Sequence, residues 1–486
     1  MKKVIIIGAG IAGIASSIRL RAKGFDVKVF ESNPYPGGKI SSFNLGDYRF
    51  DAGPSLFTMP HFVDELFDLF SENSKDHFLY KKKDISCNYF WEDGTRLSAF
   101  SDKNKFAIEV EKKLGVPTTR LLKYLKKAEK KYDLTKTIFL EKSLHKLSTF
   151  LNLDTLKAIL NLNIFQISKS LNDVNEKELI EPHLIQLYNR FATYNGSSPY
   201  KTPGMMTLIQ HLEQEYGTYV VEKGMVDITN ALFKLAKRKG VVFKFNENVS
   251  KILVENKKAI GIQAKNKKYY SDYVVSNMDV VPTYDKLLKD QKRPTIVLNQ
   301  ERSSSAIIFY WGVKKEFPDL DLHNIFFSDN YKKEFDSIFN KKEVYNDPTI
   351  YINITSKDLP SDAPKNSENW FVMINSPNNE NQNWKTITND LRKNVIKKIN
   401  NILKTDLMPF IEKERVYTPQ DIELKTQSYL GSLYGASSNN KMSAFLRHPN
   451  FSNNILNLYF CGGSVHPGGG IPLCLLSAKI VSNLIK

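Results

Sequence analysis

Apolar positions along the 486-residue chain change period where secondary-structure elements should change. Val4-Ile5-Ile6-Ile7 is a short β-branched run of the kind carried by a strand buried on both faces. The run stops at Gly8. Beyond Gly10 the period becomes helical, with Ile11, Ile14, Ala15, Ile18 and Ala22 sharing one face. Val27, Val29 and Phe30 then outline a second strand. The far end repeats this order. Leu458-Tyr459-Phe460 reads as a strand, a glycine-rich loop follows, and 473–485 reads as a helix with Pro472 in its first turn, where a missing N–H costs nothing. Between the ends, the spacing predicts a helix over 226–238, a strand over 240–245, and a small meander from strands around 251–263 and 269–276. Runs at 305–312, 348–354 and 370–374 alternate or are continuously apolar, as strands flooring a cavity would be.

Over 104–181 the pattern is that of amphipathic helices. Leu121, Leu122, Leu125, Ala128 and Tyr132 fall on one face, and Lys123, Lys126, Lys127, Lys130 and Lys131 cover the rest. From 144 to 167 Leu, Ile and Phe are dense, but Lys146, Asp154 and Lys157 interrupt them, so the segment is not a membrane span. Two readings stay open: helices lying in a membrane interface, or helices covering a cavity with a solvated lysine face.

The breaks in the pattern carry the chemistry. In Gly8-Ala9-Gly10-Ile11-Ala12-Gly13, Gly8 makes the tight turn, Gly10 lets the backbone approach a pyrophosphate, and Gly13 lets the helix pack close to the strand. The helix N-terminus offers unpaired N–H groups and a positive dipole end to phosphates. Glu31 ends the second strand, where a carboxylate accepts hydrogen bonds from adenosine ribose hydroxyls and repels a 2′-phosphate. An ADP moiety of NAD or FAD is therefore favoured over NADP. Ser32-Asn33-Pro34-Tyr35-Pro36-Gly37-Gly38-Lys39 is a second glycine loop, which a nicotinamide dehydrogenase does not need. An extended FAD can use Gly38 for close backbone approach and Lys39 as a cation. Near the far end, Cys461-Gly462-Gly463-Ser464 leads into Val465-His466-Pro467-Gly468-Gly469-Gly470-Ile471-Pro472. These glycines let the backbone lie against a planar ligand. The helix behind them presents its positive end to the negative charge that builds at the N1/C2=O edge of a reduced flavin.

Together these features resemble the bacterial-type carotenoid (phytoene) desaturases. The resemblance rests on the nucleotide fingerprint, Glu31, Gly37-Gly38-Lys39, Phe50-Asp51-Ala52-Gly53-Pro54-Ser55 and the His466–Pro472 glycine loop. It continues through Arg190-Phe191-Ala192-Thr193-Tyr194-Asn195-Gly196 with Pro199 and Pro203, Asp272-Tyr273-Val274-Val275-Ser276-Asn277, and Leu322-His323-Asn324-Ile325-Phe326-Phe327-Ser328. Asp347-Pro348-Thr349-Ile350-Tyr351-Ile352-Asn353, Pro360-Ser361-Asp362-Ala363-Pro364 and Gly431-Ser432-Leu433-Tyr434-Gly435 extend it across essentially the whole chain. One departure is visible. Glu222-Lys223-Gly224-Met225 holds a single glycine where many members carry two before the methionine. Within the family, Tyr434-Gly435-Ala436-Ser437-Ser438-Asn439-Asn440 with Phe445, Arg447 and Pro449 looks most like the branch that desaturates 1-hydroxylated carotenoids at the 3,4 bond.

The resemblance implies an α/β fold: an FAD-binding Rossmann-type, glutathione-reductase-like domain with a discontinuous mixed-sheet and helical substrate domain. Residues 1–100, 216–283 and 455–486 are expected in the first, and 101–215 and 284–454 in the second, with 104–181 as candidate membrane-docking helices. Expected contacts to FAD fall on Gly8, Gly10, Ala12, Gly13, Glu31, Gly38, Lys39, Pro54, Ser55, Val249, Gly462, Gly463, Gly469, Gly470 and Ile471. Phe191 and Tyr194 are candidates for the substrate channel or for plain core packing. His323 is a candidate ligand of a substrate hydroxyl or a hydrogen-bonded structural histidine. The implied reaction removes a hydride to flavin N5 and a proton from the adjacent carbon of a polyene, with oxygen or a quinone as the terminal electron acceptor. Protein groups able to take the proton include Glu222 and His466, and no catalytic residue is assigned. Alternatives of the same architecture are a desaturase of plain acyclic carotenes, a redox-neutral carotenoid isomerase, an amine oxidase and a non-catalytic prenyl-lipid-binding protein.

Composition narrows the setting. Three cysteines, Cys87, Cys461 and Cys474, are too few and too dispersed for a disulfide framework or a metal cluster, and fit a reducing cytoplasm. The first apolar run is the nucleotide strand, so no signal peptide is expected. Lys and Arg total 69 against 52 acidic residues, a formal charge of +17. No nucleic-acid-binding module accompanies that charge. An anionic membrane surface is a partner that suits both the charge and a carotenoid, which does not travel through water. The expected location is cytoplasmic and peripherally membrane-associated.

Overall fold

The computed structural model describes residues 1–136, 140–146, 149, 161–440, 442 and 446–486. The fold is α/β. Five parallel strands form one sheet in the order Leu458–Phe460, Tyr273–Ser276, Lys3–Ile7, Asp26–Phe30 and Val242–Lys244. Its central strand is buried from Val4 to Ile7, which is why its sequence is continuously apolar. Helices Ile11–Ala22, Val226–Arg238 and Ile471–Leu484 pack together over this sheet, and Ile14, Ile18, Leu232 and Leu475 meet in the shared core.

The meander differs from its expected outline. Val249–Glu255, Lys258–Ala264 and Lys267–Tyr270 form a three-stranded antiparallel sheet, but Tyr273–Ser276 leaves it and joins the parallel sheet beside Lys3–Ile7. Asp272 makes the switch. Its carboxylate accepts from the Lys3 N–H at 2.7 Å, and its own N–H donates to the Lys3 carbonyl at 2.9 Å.

A second, seven-stranded sheet runs in the order Ile411–Tyr417, Ser305–Val313, Glu368–Ser376, Ile350–Ile354, His323–Phe326, Ile85–Phe90 and Arg96–Phe100. All neighbours are antiparallel except His323–Phe326 with Ile85–Phe90. Strand alternation sorts its side chains. Ile307, Phe309, Trp311, Trp370, Val372, Ile350 and Ile352 face one way, onto the helix Trp384–Leu403. Ile308, Tyr310, Phe371, Met373, Tyr351, His323 and Ile325 face the other way and floor a cavity.

Two stretches pair across the expected division of the chain. Ile85–Phe90 joins this second sheet by pairing with His323–Phe326, and Arg96–Phe100 pairs in turn with Ile85–Phe90. Tyr284, Leu287, Leu288 and Leu298, expected with the substrate domain, are buried with Ile5, Ile7 and Phe30 under the parallel sheet.

In the basic region the helix Thr118–Thr135 buries Leu121, Tyr124, Leu125, Ala128 and Tyr132 against the protein. Lys131 does not belong to the solvated face. It is 3% exposed, and its ammonium donates to Gln166 Oε1 at 2.8 Å, Thr207 Oγ1 at 2.7 Å and the Gly204 carbonyl at 3.2 Å. Burial pushes its pKa down to about 8. Asp154 and Lys157, and Phe445 of the C-terminal loop, lie outside the described residues. Among the described residues no helix is long and apolar enough to cross a membrane, and no group of His, Cys, Asp and Glu is placed to hold a metal ion.

Candidate functional site

A cavity of about 1470 Å³ runs from the glycine turn of the parallel sheet to the inner face of the second sheet. Gly8, Gly10, Ala12, Glu31 and Val249 line its first end. Gly13 does not line it. A Cβ there would fall 2.1 Å from the Gly8 carbonyl oxygen, so the missing side chain serves helix-on-strand packing. The Glu31 carboxylate is buried and accepts from the Ala9 N–H at 2.7 Å and the Asn33 N–H at 2.9 Å, which fixes it at the cavity edge. Asn277 follows the switched strand. With its amide oriented to satisfy both contacts, its oxygen accepts from Gly10 N at 3.2 Å and Gly13 N at 3.1 Å. Asn277 stood in a family-like motif, but nothing in the sequence alone showed that it braces the glycine turn.

The middle of the cavity is walled by Gly38, Lys39, Pro54, Ser55, Gly462, Gly463, Gly469, Gly470 and Ile471. Lys39 donates to the Leu433 carbonyl at 3.0 Å, and its enclosure by protein lowers its pKa. Gly470 has φ +106°, and a Cβ built there meets no atom within 4 Å, so the backbone faces open cavity. Directly behind it begins the helix Ile471–Leu484, whose N-terminal N–H groups point the same way. Arg447 lies beside this loop. A Cβ on Gly468 would be 3.3 Å from its guanidinium carbon, and the guanidinium donates to the carbonyls of Tyr434 at 3.0 Å and Ala436 at 2.7 Å. Burial pushes it down to about 10. Met225 retains its place despite the single glycine before it: Gly224 adopts φ +79°, and the Met225 N–H donates to the Asp51 carboxylate at 2.9 Å.

The far end is mostly apolar, with a few buried polar groups. Tyr194 lines it, as do Arg190 and Glu213. Arg190 pairs with Glu213 at 3.4 Å and donates to Tyr89 at 2.7 Å and Tyr194 at 3.2 Å, while the Tyr194 hydroxyl donates to Glu213. Desolvation in this cluster raises the Tyr194 pKa well above its ordinary value. Sequence reading missed Glu213, which no local pattern marks. Phe191 is not on the cavity wall. It is buried behind it, 4.6 Å from the Arg190 guanidinium and 5.3 Å from the Tyr194 ring, where it supports that cluster. His323 is on the wall, and its Nδ1 lies 2.7 Å from the Tyr351 hydroxyl. His466 is also on the wall, with Nε2 2.9 Å from the Lys142 carbonyl oxygen. Glu222 is exposed and does not line the cavity, so it is removed as a proton acceptor. Leu140 and Leu144, from the region considered for membrane docking, line the cavity as part of its cover.

A nucleotide-type turn at one end, a second glycine-lined helix N-terminus in the middle and an apolar chamber beyond define a dinucleotide-dependent oxidoreductase architecture. Residues 11–486 match the family described as flavin containing amine oxidoreductase, and the chain belongs to that family. It is 55% identical over 485 residues to a 1-hydroxycarotenoid 3,4-desaturase of Flavobacterium sp. (strain P99-3), spanning 100% of this chain and 99% of that relative. It is 32% identical to a 4,4′-diapolycopene oxygenase of Methylomonas sp., spanning 100% of this chain and 98% of the relative. A crystal structure of an oxidoreductase from Methanosarcina mazei shares the fold, with a TM-score of 0.64 at 15% identity over 99% of this chain and 100% of that one.

The cofactor of this enzyme is FAD, and the residues present fit it. Two helix N-termini open onto one cavity, Gly470 leaves unfilled space where a flat ring must lie close, and the buried Glu247 Oε2 and His466 Nδ1 on the wall have no hydrogen-bond partner among the described residues.

Proposed function

We propose that this protein is an FAD-dependent desaturase of an acyclic carotenoid bearing a 1-hydroxyl group, and that it introduces the 3,4 double bond. The observation that carries this reading is the continuity of the cavity. The glycine-lined cofactor region and the apolar floor of the second sheet are walls of one space, so a long hydrocarbon can be laid against the cofactor edge. Expected FAD contacts run from Gly8, Gly10, Ala12 and Glu31 through Gly38, Lys39, Pro54 and Ser55 to Gly469, Gly470 and Ile471, with Gly13 acting through packing. When bound, the flavin supplies the two-electron acceptor for the hydride that leaves one carbon, while the second hydrogen leaves the neighbouring carbon as a proton.

The chain's own residues hold the polyene in place and keep water out. Burial pushes His323 and His466 down to about 3, so both stay neutral and add no positive charge beside a substrate that becomes cationic. Arg190 is neutralised by Glu213 within the same wall. The electrons pass on to oxygen or a quinone. The exposed Lys123, Lys126, Lys127 and Lys130 suit docking to an anionic membrane surface, from which so apolar a substrate is drawn.

The test is to incubate FAD-loaded protein with hydroxylated and plain acyclic carotenoids in liposomes, then record absorption and product mass. A red-shifted product lighter by two hydrogens, formed faster from the hydroxylated substrate, is the expected result. A spectral change at constant mass means isomerisation, a product heavier by oxygen means oxygenation, and equal rates on both substrates remove the hydroxyl preference.

A further inference from the structure

Most of the far chamber is hydrocarbon, and the donors on its wall without a partner among the described residues are Arg190 Nε, the Tyr310 and Tyr331 hydroxyls and the imidazole of His323. Of these, only His323 is tied by hydrogen bonds to the Gly53-Pro54-Ser55 turn beside the cofactor region. His323 is 3% exposed and lies on the cavity wall, and its Nε2 has no hydrogen-bond partner among the described residues. Its tautomer follows from its neighbours. The Asn353 side-chain nitrogen donates to the Leu322 carbonyl at 3.0 Å, which identifies that atom as the amino group, and the same nitrogen lies 3.2 Å from His323 Nδ1. Nδ1 therefore faces an N–H donor and is itself the acceptor. The Tyr351 hydroxyl, 2.7 Å away, must then donate to Nδ1, and Ser55 Oγ donates in turn to Tyr351 at 2.8 Å. With Nδ1 accepting, the imidazole proton of the neutral ring sits on Nε2 and has nothing to bond to.

We infer that the Nε2–H of His323 is the donor that holds the hydroxyl oxygen of the substrate terminus, that Asn353 keeps the ring in the donating tautomer, and that Tyr351 and Ser55 are positioning residues that orient it. This rests on the hydroxycarotenoid reading above and assigns it a specificity-determining residue. The placement agrees with the chemistry. In a 1-hydroxylated chain the oxygen-bearing carbon is only two and three bonds from the carbons of the 3,4 bond, so the donor must stand near the cofactor. Ser55 belongs to the Gly53-Pro54-Ser55 turn of the cofactor region, and the hydrogen-bond chain ties the imidazole to that turn. A substrate without the hydroxyl leaves this buried N–H unpaired, which is how a mainly apolar site rejects a plain hydrocarbon of similar shape.

The experiment compares kcat/KM on matched hydroxylated and plain acyclic carotenoids for the FAD-loaded wild type, His323→Phe, His323→Gln and Tyr351→Phe. The wild type should prefer the hydroxylated substrate. In His323→Phe that preference should shrink on the order of 10- to 100-fold, chiefly through the hydroxylated substrate. His323→Gln, which keeps a side-chain N–H, should retain part of it. Tyr351→Phe removes the shorter of the two hydrogen bonds that orient the ring and should give an intermediate loss. A preference undiminished in a folded His323→Phe or Tyr351→Phe protein overturns the assignment of His323 while leaving the desaturase reading standing. A wild type that converts both substrates equally overturns the hydroxyl reading, and with it this inference, before any variant is made. A wild type that converts neither removes the desaturase reading itself. Should His323→Phe fail to fold, the Tyr351→Phe and His323→Gln ratios decide the matter.

Discussion

Glu31 shows how one residue serves both the fold and the ligand. Its carboxylate already accepts from Ala9 and Asn33, so Glu31→Ala leaves one N–H donor bare in the glycine turn and one in the loop after the second strand even without cofactor. Flavin affinity should fall by about 1.5–3 kcal/mol, on the order of 10- to 100-fold in Kd. The cofactor-free protein should also melt at a lower temperature. Flavin titration and a melting curve check the two parts separately, and wild-type flavin affinity in the variant would remove Glu31 from the cofactor site. Residues of this kind were legible in the sequence because their motifs are local: Gly13 must admit the Gly8 carbonyl oxygen of the same motif, which a Cβ would meet at 2.1 Å, and Gly470 must keep a positive φ. Asn277 and Glu213 were not legible. Asn277 reaches Gly10 from far along the chain, and Glu213 meets Arg190 from a separate helix with no motif around it, and no local period marks a residue that is polar for the sake of such a neighbour.

Elements were legible where burial is one-sided or complete. The helix Val226–Arg238 falls where its pattern predicted, and the alternation along 370–374 already separates Trp370 and Val372 from Phe371 and Met373. The strand Tyr273–Ser276 was assigned to the wrong sheet because its apolar run suits either neighbour, while its pairing with Lys3–Ile7 and Leu458–Phe460, together with the Asp272–Lys3 clamp, joins segments far apart in the chain. On the helix Thr118–Thr135, simple periodicity placed Lys131 outside, although position 131 shares the buried face with Ala128 and Thr135. Lys123, Lys126, Lys127 and Lys130 remain exposed. If they dock on lipid, the protein should co-sediment with anionic liposomes at low salt and release as salt screens the charges. Replacing Lys123, Lys126 and Lys130 together by Glu should weaken that binding by a few kcal/mol, roughly 1 kcal/mol per cation removed. Equal sedimentation of wild type and variant, or equal binding to neutral vesicles, would show that this face is merely solvated.

At the scale of the whole molecule, the three most deeply buried of the described histidines link stability to pH. Burial pushes His323 and His466 down to about 3 and His448 to about 4. In the unfolded chain each takes up a proton near pH 6.5, so between those limits the unfolded state binds protons that the folded state refuses. Their contribution is complete above about pH 6.5 and is lost as pH falls towards 4, with a slope approaching about 4 kcal/mol per pH unit if all three act together. Denaturant unfolding at pH 7, 6 and 5 measures this, and equal stability at pH 7 and 5 would contradict it. The construction of the parallel sheet bears on how such a chain reaches its native state at all. The clamp between Lys3 and Asp272 joins residues 269 apart, and the edge strand Leu458–Phe460 is added later still. The first strand and its glycine turn are thus made early and must wait, with an apolar edge uncovered, for partners synthesised far downstream. Such non-local pairing is slow and invites association with other chains, so a ribosome making this protein should leave a long-lived client for chaperones.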